Sequence, residues 1–310
     1  MSKLISVILP VYNGKPYLQE SVESVLKQDF EAFEFIILDD CSTDGSYEYL
    51  QGITDPRVKL IRNEKNRGLF PNLNILIKAS NTPLVKIWSQ DDIMYPECLQ
   101  EFVHFHNEHY VGFSYSGCDK IDENSDLKAK MPDDKTPQLI STSLHSRIAY
   151  FTGSIAGNIA NVCLNRKAIN EVGFFDESMK ISGDFYMWVK LAEKNKTGFI
   201  NKALIKLRDH SGQLSRKESY YKFHIIEDLI VYRYLDGYAG EEERREGHAN
   251  MLQYKMLFYF TVMMKAFMKG NISTAWDIQR SLASYVSIKQ LGINFIRYKL
   301  LKQPRKPFYV

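Results

Sequence analysis

Cysteine is scarce in this 310-residue chain. The four present, Cys41, Cys98, Cys118 and Cys163, are too widely spaced for a CxxC pair, and no histidine stands at zinc-finger spacing from them. A disulfide-stapled or zinc-ribbon architecture is therefore excluded, and reduced thiols in a cytoplasmic protein are expected. No G-x-G-x-x-G follows the first strand-like run and no G-x-x-x-x-G-K-S/T occurs anywhere, which removes the usual signatures of dinucleotide enzymes and P-loop NTPases. Long apolar runs are missing too: the longest, residues 256–264, is interrupted by Thr261 and falls far short of the roughly 20 residues that span a bilayer. Met1-Ser2-Lys3-Leu4 leads directly into a strand-like run rather than the apolar core of a signal peptide, which carries the same cytoplasmic expectation. A formal net charge of +3 gives no basis for a nucleic-acid partner.

What is present describes an ordinary globular protein, with 45% hydrophobic and 25% charged residues. The length suits one large domain or a domain with an appendage. Ile5-Ser6-Val7-Ile8-Leu9-Pro10-Val11 reads as a strand, Asn13-Gly14 as a turn, and residues 17–27 as a helix with Leu18, Val22, Val25 and Leu26 on one face. A second apolar run, Phe35-Ile36-Ile37-Leu38, ends in Asp39 and Asp40. Val58-Lys59-Leu60-Ile61 is a third strand, residues 71–79 a helix, and the run from Leu84 a fourth strand. Strands that alternate with helices and read as nearly unbroken apolar runs predict a parallel sheet covered on both faces. Further on, a helix over 96–109, a strand over 111–115, a surface loop over 122–138, helical periodicity over 139–151 and a strand over 203–207 follow. From about residue 217 the pattern is helical almost throughout, with a charge-dense loop at 241–246. The expected division is an α/β domain over 1–216 and a helical extension over 217–310.

The fourth strand ends abruptly in Gln90-Asp91-Asp92. Side chains at the carboxyl end of a strand in an open α/β sheet face the crevice where such folds bind ligands. Two adjacent acids there repel unless a cation lies between them and an anionic ligand; the alternative is that they only shape a loop ahead of the next helix. His104, His106 and His109 share a helix but not a face, so they do not read as a metal site. Asp184, after Ser182-Gly183, is positioned to cap a helix.

In order and spacing these pieces resemble the family 2 glycosyltransferases over about the first 215 residues. The matching pieces are Pro10-Val11-Tyr12-Asn13-Gly14, Asp39-Asp40-Cys41-Ser42-Thr43-Asp44, Asn66-x-Gly68 with Asn74, Gln90-Asp91-Asp92, Gly183-Asp184, and Arg208-x-His210 with Ser215. The resemblance implies a GT-A (Rossmann-like), mostly parallel mixed sheet flanked by helices, with a C-terminal helical extension. It implies an inverting transferase that moves a sugar from a nucleotide-diphosphate donor, UDP by expectation, to a glycan or lipid-linked acceptor in bacterial surface polysaccharide synthesis. Pro10, Val11, Tyr12, Asp40, Asn66, Gly68, Asn74 and Asp91 are then the nucleotide-binding residues, Asp92 and His210 the contacts of a divalent cation (Mn²⁺ or Mg²⁺), and Asp184 the catalytic base. Four departures stand out: Gln90 replaces the first acid of the D-x-D pattern, Cys41 stands where Gly or Asn is frequent, Gly183 replaces a Glu, and Leu73 stands where an Arg often precedes the motif Asn. A nucleotidyltransferase and an inactive sugar-nucleotide-binding protein remain as alternatives. Residues 251–268, apolar nearly all round, are expected to be buried in a helix bundle or a dimer interface, and Arg297, Lys299, Lys302, Arg305 and Lys306, interleaved with Tyr298, Phe308 and Tyr309, to touch an anionic membrane surface.

Overall fold

The computed structural model describes residues 3–210, 212 and 220–305. Ser215 of the late motif and Lys306, Phe308 and Tyr309 of the basic tail lie outside the described residues. In chain order the elements are β1 (Ile5–Val11), α1 (Lys15–Leu26), β2 (Phe33–Asp39), α2 (Ser46–Gln51), β3 (Val58–Arg62), α3 (Leu69–Ala79), β4 (Leu84–Ile87) and β5 (Ile93–Met94). There follow α4 (Cys98–Glu108), β6 (Phe113–Ile121), β7 (Leu127–Ala129), β8 (Leu139–Ile140), α5 (Thr142–Thr152), β9 (Val162–Asn165), α6 (Arg166–Val172), α7 (Gly183–Lys194) and β10 (Thr197–Arg208). The last helices are α8 (Tyr221–Tyr238), α9 (Glu241–Gln253), α10 (Lys255–Met268), α11 (Ile272–Ala283) and α12 (Ile288–Phe295). They form two compact units, one of Met1–Ser141, Ala156–Lys180 and Lys190–Ser211, the other of Thr142–Ile155, Ile181–Val189 and Gly212–Val310.

The first unit holds a ten-stranded sheet of order β3-β2-β1-β4-β9-β6-β10-β5, with β7 paired to β6 and β8 to β10. The four strands read from the first ninety residues are parallel, as their unbroken apolar runs require. Both faces are buried. Ile5, Val7, Leu9 and Val11 pack in one core with Leu18, Val22 and Val25 of α1, and the alternate residues Ile8, Ile36 and Leu38 are equally inaccessible. Beyond β4 the sheet turns mixed, because β9 runs antiparallel to both β4 and β6. The strand expected over 203–207 is the second half of β10, whose register shifts between Ile200 and Ile205; polar Asn201-Lys202 at this irregularity hid the first half from the apolar pattern. Lys86 of β4 is fully buried, its ammonium donating to the carbonyls of Ile87 (3.0 Å), Ala160 and Val162 (3.5 Å). It ties the strand to the turn ahead of β9, and burial holds its pKa below the ordinary lysine range.

In the second unit α8 supplies Ile225, Leu229, Tyr232 and Leu235 to a core completed by Met256, Tyr259 and Phe260 of α10, Ile278 and Leu282 of α11, and Leu291 of α12. One expectation is corrected here. The charge-dense segment 241–246 is not a loop but the start of α9, because Glu241, Glu242 and Glu243 occupy its first turn, where the helix dipole favours acids. Residues 251–268 enter this bundle through Met251, Met256, Tyr259, Phe260 and Met263, as expected, but not as one helix: it breaks at Tyr254, and Phe258, Phe267 and Met268 lie exposed. No described helix is long and apolar enough to cross a membrane.

At the carboxyl end of β2, Cys41 adopts φ +64°, a left-handed conformation. The Gly or Asn of the familiar motif is thereby explained, since a Cβ there costs about 1 kcal/mol. Replacing Cys41 by Gly should raise stability by up to about 1 kcal/mol and replacing it by Val should lower it by a similar amount, β-branching being worst tolerated at positive φ. Urea denaturation midpoints test the order; a Val variant as stable as the Gly variant would contradict it.

Candidate functional site

The loops after β1 and β2 are laced to each other by the motif residues. The Asn13 N–H donates to Ser42 Oγ (3.0 Å), the Thr43 N–H to Asn13 Oδ1 (2.9 Å), the Gly14 N–H to Ser46 Oγ (3.0 Å) and the Lys15 N–H to Asp44 Oδ2 (3.0 Å). Pro10 and Val11 end β1, with Val11 buried and Tyr12 47% exposed at the rim. Asp40, 2% exposed, accepts from Asn63 Nδ2 (2.7 Å), the Arg67 N–H (2.9 and 3.1 Å) and the Gly68 N–H (3.0 Å). Its carboxylate thus shapes the 63–68 turn, at which Asn66 is exposed and Gly68 takes φ +86°. A nucleobase N–H reaching Asp40 would share or replace one of these bonds, since a carboxylate has about four acceptor positions.

Asn74 is occupied elsewhere. It is 3% exposed, its Oδ1 accepting from the Phe175 N–H (3.0 Å) and its Nδ2 donating to Phe175 O and Glu177 Oε1 (both 2.9 Å). The side chain clamps the segment after α6 and makes its part of the pattern structural.

At the end of β4, Gln90 also serves as a clamp. Its Oε1 accepts from the Tyr12 N–H (2.9 Å) and its Nε2 donates to Tyr12 O (3.1 Å). An amide can do both; a carboxylate, which only accepts, cannot. Gly14 leaves room for it, since a Cβ there would come within 2.7 Å of the Gln90 amide.

The two acids that follow differ in environment. Asp91 is partly exposed, with its Oδ2 2.9 Å from His210 Nε2. Asp92 is 2% exposed and accepts the Arg208 N–H at 2.9 Å. Burial, and secondly the charge of Asp91, push the Asp92 carboxyl up to about 8, against the pull of the Arg208 N–H. Arg208 itself is 1% exposed and spreads its guanidinium over three segments. It donates to Asp91 O (2.7 Å), Asp122 O (3.0 Å), Ser125 Oγ (3.0 Å) and Glu20 Oε2 (2.6 Å), with Tyr17 flat against it at 4.5 Å. Tyr17 also supports the His210 ring, centroids 5.0 Å apart. The sequence motifs named Arg208 but gave it no role, and Tyr17 and Glu20 were missed. Their signal was i, i+3 spacing on α1 away from the apolar Leu18, Val22, Val25 stripe.

Among the described residues no group of three or more His, Cys, Asp and Glu side chains is arranged to hold a metal by itself. Asp91, Asp92 and His210 nevertheless fit a divalent cation that takes most of its ligands from a bound diphosphate: burial and a neighbouring acid raise the cost of the Asp92 charge, and a cation would offset it. The three histidines of α4 do not converge. His104 lies 3.4 Å from Glu108, His106 bonds Ser114 Oγ at 2.9 Å, and His109 packs on Phe105. A cleft of about 510 Å³ lined by Leu4, Asn81, Leu84, Asn165 and Arg166 opens at the amino ends of β1 and β4, away from these acids.

Asp184 belongs to the second unit. The N-cap position of α7 is held by Ser182, whose carbonyl accepts the Tyr186 N–H at 2.9 Å. Asp184 therefore is not the cap expected from sequence; it lies in the first turn and accepts the Phe185 N–H at 2.7 Å. Burial foremost, with the charges of Asp228 and Glu227 adding to it, pushes its carboxyl up to about 6 against the Phe185 N–H.

The Gln90 clamp can be tested by Gln90→Glu. The carboxylate faces Tyr12 O without a proton to donate, and stability should fall by about 1 kcal/mol at pH 7. The deficit should shrink as pH falls through about 4, where a protonated Glu can again donate. Equal stability of the two proteins at pH 7 would contradict the clamp.

An uncharacterized glycosyltransferase of Rickettsia felis is 31% identical over 220 residues, which are 70% of this chain and 36% of that protein; the chain thus spans about a third of the length of such relatives. The E. coli UDP-Glc:alpha-D-GlcNAc-diphosphoundecaprenol beta-1,3-glucosyltransferase WfgD is 26% identical over 198 residues, 64% of this chain and 73% of that one. In fold the chain is similar to S. aureus TarS 1-349 in complex with UDP-GlcNAc, with a TM-score of 0.69 at 19% identity over 99% of this chain and 94% of that one. It is also similar to the mannosyltransferase PcManGT of Pyrobaculum calidifontis in complex with GDP-Man and Mn²⁺, with a TM-score of 0.58 at 15% identity over 97% of this chain and 81% of that one. The family model for glycosyl transferase family 2 matches residues 6–180, more than half of the sequence, and the chain belongs to that family.

Proposed function

We propose that the protein transfers a sugar from a nucleoside-diphosphate donor to an acceptor hydroxyl with inversion at the anomeric carbon. The observation that carries the reading is the acid pair at the end of β4, with His210 and Arg208 against it. A UDP-sugar is the proposed donor and a bacterial surface glycan or its lipid-linked precursor the proposed acceptor; the name of the E. coli relative and the ligand of the S. aureus neighbour support both. The nucleoside is assigned to Pro10, Val11, Tyr12 and Asp40, with Asn66 and Gly68 on the turn that Asp40 organises, Asn74 as a support, and Asp91 toward the ribose or sugar. Asp92, with His210, would hold a divalent cation, Mn²⁺ or Mg²⁺, which neutralises the departing diphosphate when bound. The cation in the Pyrobaculum neighbour's complex supports this part.

Asp184 is the proposed base. A carboxyl raised to about 6 is ionised at neutral pH yet accepts a proton more readily than an ordinary aspartate. It takes the proton of the acceptor hydroxyl as that oxygen attacks opposite the diphosphate. Turnover should therefore decline as pH drops below about 6. Asp184→Asn should lower kcat by about 10²- to 10⁴-fold while leaving nucleotide affinity by calorimetry unchanged. Asp92→Ala should weaken both turnover and cation binding in the presence of nucleotide. Normal turnover in the Asn variant removes the base assignment, and activity that survives exhaustive chelation removes the role of Asp92.

A cytoplasmic location with peripheral membrane contact accompanies this reading. Exposed Trp276 (61%) and Leu301 (64%), with basic Arg297, Lys299 and Lys302, support a contact with anionic lipid. Sedimentation with phosphatidylglycerol vesicles should fall as salt rises for the parent, and should be lower at low salt in a Lys299→Glu, Lys302→Glu variant. Equal binding by variant and parent would leave these helices to a homodimer, which the sedimentation coefficient of the free protein reads.

A further inference from the structure

The unit that carries Asp184 also carries two acids that no motif and no step of the transfer chemistry accounts for. Glu227 and Asp228 lie on α8, 6% and 8% exposed. Carboxylates this buried persist only where donors repay the lost hydration. Glu227 Oε2 accepts the N–H groups of Ile181 (2.9 Å) and Ser182 (2.8 Å), the two residues ahead of α7. Asp228 Oδ1 accepts the Ser182 hydroxyl at 2.7 Å, and its Oδ2 accepts the Tyr259 hydroxyl and lies 3.4 Å from the Lys255 ammonium. Lys255 in turn donates to the Tyr232 hydroxyl at 2.6 Å.

This arrangement reverses the ordinary way a helix starts. An N-cap serine usually turns its hydroxyl back onto the free N–H groups of the first turn. Here the Ser182 hydroxyl faces α8 instead, and a carboxylate from α8 takes up the Ile181 and Ser182 N–H groups. The bonds are charge-assisted, and the negative charge stands at the positive end of the α7 dipole. Ser182 is two residues from Asp184, so the turn that aims the Asp184 carboxyl is fixed from α8 rather than by its own cap.

We infer that Glu227 is a positioning residue for Asp184, holding the 181–184 turn so that the base meets the acceptor hydroxyl in one geometry. The inference rests on Asp184 being the base. It makes α8, which lies beyond the motif-bearing sequence, part of the catalytic apparatus. A displacement of about 1 Å at a reacting group costs on the order of 10²-fold in rate, so the demand on this turn is real. The charge of Glu227 acts in addition to its geometry. Asp184 meets Glu227 and Asp228 from α8; behind Asp228 stand His224 and Tyr232 of the same helix, with Lys255 and Tyr259 of α10.

The test compares kcat, donor KM and the acid limb of the pH profile in the full chain for Glu227→Ala, Glu227→Gln, Asp184→Asn and the Glu227→Ala, Asp184→Asn double variant. Glu227→Ala should lower kcat by about 10- to 100-fold with donor KM unchanged. Glu227→Gln keeps an oxygen for the two N–H groups and should recover most of that loss. Its acid limb should move to lower pH, because one of the charges that raises the Asp184 carboxyl is gone. The double variant should be no slower than Asp184→Asn alone, since a residue acting through Asp184 has nothing left to position. Wild-type kcat in Glu227→Ala, or losses that multiply in the double variant, would overturn the inference while leaving the base in place. Should Glu227→Ala fail to fold, an unmoved acid limb in Glu227→Gln overturns it equally. Full turnover in Asp184→Asn would instead remove the base, and the positioning role with it.

Discussion

A single buried guanidinium ties together the carboxyl ends of β4 and β10. Arg208 closes β10, and its own N–H is spent on Asp92 while its side chain reaches the Asp91 carbonyl, the 122–125 turn and Glu20 of α1. An arginine can satisfy so many directions because its planar fork offers five N–H donors; a lysine in the same space would leave carbonyls without partners. Taking this charge out of water is unfavourable unless the geometry of all those acceptors is kept. The acids at 91 and 92, the turn after β6 and the histidine two residues further on are therefore held relative to one another by one residue, so that rigidity at the acid pair does not depend on a bound ligand.

Much of the sheet was legible in the sequence because buried parallel strands leave a plain trace. Ile5-Ser6-Val7-Ile8-Leu9 and Phe35-Ile36-Ile37-Leu38 are apolar on both faces, and they appear where they were read. What escaped was decided by partners distant in sequence. The first half of β10, residues 197–200, pairs with β6 ahead of an irregularity at polar Asn201 and Lys202, and the start of α9 is a helix because acids suit a helix amino terminus, although the same acids look like a loop by composition.

The residues of the site divide in the same way. Asp91, Asp92 and His210, singled out in the sequence, lie at one end of the sheet, His210 against Asp91 and Asp92 against the Arg208 N–H. Asn74 and Gln90 were read as part of the ligand pattern, yet each presents one amide to both the N–H and the C=O of another segment. A sequence motif records that a side chain is required, not whether a ligand or the chain's own backbone requires it. The departure at Gln90 loses its strangeness on that view: the position needs a donor as well as an acceptor, and an amide is both where a carboxylate only accepts. Glu227 could not have been found at all from the motifs, because its partners are two backbone N–H groups, which no side-chain pattern encodes.

Lys86 carries a consequence of another kind. Its amine is enclosed by three carbonyls, with the rings of Trp88 and Phe102 beneath it. Reagents that acylate lysines need an amine they can reach, and this one is reachable only when β4 has parted from the turn before β9. Modification at this position therefore marks molecules in which the centre of the sheet has come apart, while surface lysines label regardless. The residue is a built-in recorder of global opening, blind to the local fluctuations of loops and termini.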